Sequence, residues 1–63
     1  MEKGQWVLVK AFPDKTLERI VWEENRTYVV VCRPEVYGQA IALRAEPVVV
    51  MGFPKEDVMV KDN

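Results

Sequence analysis

Residues 17–33 read Leu17-Glu18-Arg19-Ile20-Val21-Trp22-Glu23, then Glu24-Asn25-Arg26, then Thr27-Tyr28-Val29-Val30-Val31-Cys32-Arg33. Two stretches rich in β-branched and aromatic side chains flank a short polar break, which is the pattern of a β-hairpin. Asn25 is the residue of the break best suited to a left-handed conformation. A three-residue loop over 24–26 pairs Trp22 with Tyr28, Ile20 with Val30 and Glu18 with Cys32 on one face. The other face then carries Val21 opposite Val29, Arg19 opposite Val31 and Glu23 opposite Thr27. Charges gather on that second face, so the first is expected to look inward. Cys32 belongs to the inward set and is expected to be buried and inert, a small hydrophobe.

Upstream of the hairpin, Gln5 to Phe12 forms a first strand, stopped by the turn residues Pro13-Asp14-Lys15. Alternation puts Val7, Val9 and Ala11 on one face, expected to be the core. Trp6, Leu8, Lys10 and Phe12 share the other, expected to be partly outside. Downstream, Pro34 to Glu46 changes character. Pro34 suits a first helical position, Glu35 favours the positive end of the helix dipole, and Val36, Ala40 and Leu43 recur at helical spacing. One short helix at about 34–45 is preferred over a turn at Tyr37-Gly38 followed by a strand from Gln39 to Arg44. Val48-Val49-Val50-Met51 is a run of strand length, expected to be central and covered on both faces. Gly52-Phe53-Pro54 is expected to break it. Lys55-Glu56-Asp57 makes a tight turn, and Val58-Met59-Val60 is a last strand. No repeat or linker divides the chain, so residues 1–63 are one domain.

The tail Gly52-Phe53-Pro54-Lys55-Glu56-Asp57-Val58 resembles the end of an SH3-like barrel, where Gly and an apolar residue precede Pro, one helical turn follows, and Val opens the last strand. The resemblance implies a mainly β fold, a small five-stranded SH3-like barrel. The chain departs from true SH3 domains in its first strand, Val7-Leu8-Val9-Lys10-Ala11-Phe12, in the short loop after it, and in lacking an adjacent Trp pair. Binding of proline-rich ligands is therefore not carried over. The chain also resembles small uncharacterised bacterial proteins with a similar ending, a likeness that implies no chemistry.

Composition narrows the function classes. Of 63 residues 12 are Val, none is His or Ser, and one is Cys. Side-chain nucleophilic catalysis needs a nucleophile beside a base, and the thiol has no imidazole partner. One Cys without His cannot supply the soft ligands of a zinc site, and the adjacent carboxylates Glu23-Glu24 and Glu56-Asp57 converge poorly on a harder ion. No glycine-rich phosphate loop is present. The chain is read as no enzyme, with no cofactor and no metal. A single Cys, no signal-peptide pattern and no membrane-length apolar run set a cytoplasmic, membrane-free expectation.

What remains is binding. Trp6, Leu8, Lys10 and Phe12 form a candidate partner-binding stripe, since aromatic anchors dominate interface energetics. Short Val-rich edge strands also invite pairing with another protein or a second copy, and a homodimer through an edge is the simplest form. A non-enzymatic protein-interaction or assembly module is thus the leading reading. The alternative is a nucleic-acid-binding barrel contacting strands through Arg19 and Arg33, expected with Lys10 on an outer face. A net charge of −1 with acids interleaved among the bases counts against it. An enzymatic or metal-binding role ranks third.

Overall fold

In a computed structural model that describes residues 1–61, the chain runs β1 (Trp6–Ala11), β2 (Lys15–Glu24), β3 (Tyr28–Cys32), α1 (Pro34–Leu43), β4 (Met51–Pro54), a 3₁₀ turn (Lys55–Asp57) and β5 (Val58–Val60). All pairings are antiparallel, and the strand order is β4-β3-β2-β1-β5. The architecture is mainly β, a curled half-barrel sheet of five strands with one short helix, compatible with a small barrel fold. No helix among the described residues is long and apolar enough to cross a membrane.

The curl follows from connectivity. β4 and β5 lie at opposite edges of the sheet yet are joined by the 3₁₀ turn alone. Laid flat, five strands would separate their edges by about 19 Å. A 3₁₀ path from Pro54 to Val58 advances only about 8 Å. The edges must therefore approach, and the sheet must bend. The tail reading holds here: a helical turn follows Pro54, and Val58 opens the last strand.

Every strand contributes to the enclosed side. Val7 and Val9, Val21, Val29 and Val31, and Val58 form one buried cluster, with Leu17 and Phe53 packed against it. Because Phe53 and Val58 come from the two edge strands, this cluster occupies the concave side. The assignment of Val7 and Val9 to the core is correct, and Ala11 is half-buried at its end.

The hairpin corrects the sequence reading twice. Its register is Ile20↔Cys32 and Val21↔Val31, then, past a bulge at Trp22, Glu23↔Val30 and Glu24↔Val29. The concave face is thus that of Val21, Val29 and Val31, and Trp22, Tyr28 and Val30 do not form the core. Valines fill the narrow inside of the curled sheet, with Phe53 the one ring packed against them. Cys32 is buried, as expected, at 3% exposure, but for a different reason. It pairs with Ile20 on the convex side, which α1 covers by packing on β2 and burying Ala40. Asn25 is not left-handed either. Its Oδ1 accepts the amides of Thr27 and Tyr28, each at 3.1 Å, so a side-chain turn replaces backbone strain.

The helix is present at Pro34–Leu43, with Pro at its first turn. It ends on Arg44 in the left-handed region (φ 52°), with Ala45 N–H donating to the Ala40 carbonyl. Val48-Val49-Val50 is not a central strand: it is exposed and unpaired, and β4 begins only at Met51, on an edge. β4 has β3 as its one neighbour, and the 48–50 segment that precedes it pairs with no strand. Gly52 does not break β4. It sits where the Tyr28 ring lies 3.2 Å from the place a Cβ would occupy, so a larger residue would have to push the ring aside.

Two outcomes test this packing. Phe53→Ala removes a ring that β4 brings onto the valine cluster, and should cost about 3–5 kcal/mol, much of a small domain's stability. Gly4 has φ +90°, its N–H bonds the Val21 carbonyl at 2.8 Å, and an added Cβ would stand 2.8 Å from the Tyr37 hydroxyl. Gly4→Ala should therefore lower stability by about 1–2 kcal/mol or more in urea titrations, from the left-handed backbone alone.

Candidate functional site

The stripe proposed on β1 splits in two. Trp6, Leu8 and Lys10 lie on the convex face, where Leu8 stands between Glu18 of β2 and Met59 of β5. Since β1 is flanked on both sides, this is a sheet face and not an edge. Trp6 is 43% exposed and partly occupied: Lys61 Nζ lies 5.6 Å from its ring centroid and 2.9 Å from Glu18 Oε2. Phe12 falls beyond the end of β1 and is 96% exposed at the tip of the β1–β2 turn. The structure therefore joins Trp6 and Leu8 to Met59 and leaves Phe12 apart.

Arg19 and Arg33 do not share an outer face with Lys10. Arg19 pairs with Val7 and lies on the concave side, at its open end. Continuing the Ile20↔Cys32 register by one rung places Arg33 across from Arg19. Both line one groove of about 300 Å³ with Val31, Cys32, Val36, Val49, Val50 and Met51. Burial pushes the Cys32 thiol up from its usual pKa, and its Sγ lies 3.8 Å from the Ile20 carbonyl oxygen. Cys32 borders the groove, while its thiol is buried toward Ile20, and a raised pKa keeps it in the neutral form near pH 7. None of the aromatic rings lines this groove, so the stacking platform of a strand-binding barrel is missing beside the two arginines.

The surface that the sequence reading missed is the 48–51 segment. Val48 is 79% and Val49 63% exposed, and Val50 and Met51 are also exposed. Ile41 and Leu43 on α1 add to the exposed apolar groups nearby in sequence. A run of four apolar residues reads equally as a buried strand, and periodicity cannot separate the two.

The opposite end of the half-barrel is neutralised. The bulge at Trp22 turns Glu24 to the side of Val29, where its carboxylate meets the Met1 ammonium at 2.7 Å and Lys55 Nζ at 3.1 Å. The bulged Trp22 ring packs edge-on against Tyr37 at 6.0 Å, with Lys3 Nζ 3.7 Å from its centroid. Among the described residues no group of three or more His, Cys, Asp or Glu side chains converges to hold a metal ion.

The ammonium and Lys55 hold the Glu24 carboxyl below its usual 4.5. A carboxyl lowered in the folded state stabilises above its unfolded value, and that contribution disappears as pH falls through the folded value. Glu24→Gln should therefore melt below the parent at pH 7, and the gap should close as the buffer is taken well below 4.5. A gap that persists at low pH would assign it to packing instead. Compared with known protein families, with curated proteins and with solved structures, the chain matches none.

Proposed function

We propose that the protein is a non-enzymatic assembly module that pairs with a second copy of itself through the 48–51 segment and the free edge of β4. The observation that carries this reading is a continuous, exposed apolar segment running into an unpaired strand edge. Small monomers seldom leave such a combination open, because an edge of free N–H and C=O groups with apolar side chains is a template for another strand. Natural edges are usually blunted by charge, and here residues 47–54 carry none. Antiparallel self-pairing thus sets no like charges opposite one another. It also gives a two-fold, self-complementary contact. Pro47 and Pro54 bracket the segment and limit the added strand to the residues between them. The Trp6–Leu8–Met59 face and Phe12 then serve as secondary anchors for a different protein.

Nucleic acid is the second reading, on the one observation that Arg19 and Arg33 meet at a single groove. Its weakness is the absence of rings there and the −1 net charge.

Light scattering coupled to size exclusion checks the assembly reading. The parent should shift from monomer to dimer as concentration rises into the range of tens of micromolar, roughly. A Val48→Lys, Val49→Lys double variant should stay monomeric with an unchanged far-ultraviolet spectrum and melting curve. A parent that is monomeric throughout, or a double variant that still dimerises, overturns the proposal. Binding of oligo(dT) at physiological salt with micromolar affinity and a steep salt slope would put nucleic acid first.

A further inference from the structure

We propose that the groove holding Arg19 and Arg33 binds a small amphiphilic anion, a carboxylate carrying a short apolar tail. This goes beyond the assembly reading: the groove shares Val49, Val50 and Met51 with that surface, but the proposal rests on Arg19, Arg33 and the start of α1, which the assembly reading does not use.

The groove sits where β3 runs into α1, at the open end of the concave face, and mouths of this kind are common ligand sites. Its volume of about 300 Å³ is at the small end of the range for such ligands. Its lining is apolar except for two residues, and both are arginines. Among the described residues neither arginine has an acidic partner within 4.0 Å. Arg19 commits one N–H to the Glu18 carbonyl at 2.7 Å, which leaves most of its fork free.

The start of α1 adds to the same field. Arg33 is the residue before the first turn, no side chain caps that turn, and Pro34 has no N–H to offer. Val36 of the first turn lines the groove, so the positive end of the helix lies beside it. Glu35, the one acid of that turn, is exposed and is not part of the lining. Two guanidinium groups and a helix start thus meet over a floor of Val31, Val36, Val49, Val50 and Met51. A planar carboxylate suits the arginine fork, and a hydrocarbon tail suits the floor. A free inorganic anion would leave the floor wet, and a nucleobase would find no ring to stack on.

Octanoate is the probe, with acetate and 1-octanol as its two halves, followed by amide chemical shifts of the full chain. Octanoate should bind in the range of about a millimolar or tighter and shift Arg19, Val31, Cys32, Arg33, Val36 and residues 49–51. Acetate and 1-octanol should each bind at least about tenfold more weakly, as should octanoate to Arg19→Gln and to Arg33→Gln. Arg33→Lys, which keeps charge and loses the fork, should fall between. Failure of octanoate to shift these amides, equal binding of 1-octanol, or unaffected arginine variants would overturn the proposal. So would oligo(dT) shifting the same amides more tightly. Val48 is not part of the lining, so Val48→Lys should bind octanoate unchanged whether or not it dimerises. That outcome tells the two proposals apart although their surfaces overlap at residues 49–51.

Discussion

The short path from Pro54 to Val58 governs the rest of the molecule. It joins opposite edges of one sheet through a single 3₁₀ turn, so the sheet cannot lie flat. Bending it brings five strands around a narrow interior, and the interior selects side chains by width. Six valines fill it, stiff at χ1 and well matched to a pleated wall. Larger groups go to the rim, as Leu17 and Phe53 do, or to the outside. Removing bulk from such a space is costly because so little remains to close the gap.

A domain with so small an inner core must find further burial elsewhere, and it does so on the convex side. α1 lies over β2 there, burying Ala40 while Ile20 and Cys32 are buried on the sheet. The helix leaves β3 without a loop of any length and returns through Arg44 to the exposed 45–50 segment. Neither the helix nor the sheet covers that segment on its outer side. One connection therefore produces both the buried second layer and the exposed apolar run. The bulge at Trp22 belongs to the same solution. It sets the ring against Tyr37 and turns Glu24 toward its two cations.

Much of this was legible in the residues. The face of β1, the helix after Pro34 and the turn after Pro54 follow from alternation, proline chemistry and propensity; Cys32 is buried as expected, but on the face that α1 covers and not on the one alternation and charge selected. The hairpin face was not, because charge was used to decide it. Arg19 lies on the core side at an open end, where solvent reaches it, and the bulge moves Glu23 and Glu24 off the simple alternation. A bulge is invisible to a period of two. Val48–Met51 was misplaced for another reason: an apolar run reports that a segment avoids water, and not whether the fold supplies a cover. The partner-binding stripe at Trp6, Leu8 and Lys10 was legible as a face, whereas Phe12 was assigned to it by extending the alternation one residue past the strand's end.

The two ends of the half-barrel show opposite solutions to the same electrostatic problem. Strand ends carry charge into the margin of an apolar interior, where screening by water is weaker than at an open surface. At the end near the hairpin loop, Glu24 meets an ammonium and a lysine, and its lowered pKa records that match. At the other end Arg19 and Arg33 line one groove beside a helix start with no side-chain cap, and among the described residues neither has an acidic partner within 4.0 Å. The anion proposed for this groove would supply the negative charge that the fold itself does not set there, while its apolar part would cover the floor of Val31, Val36 and Val50.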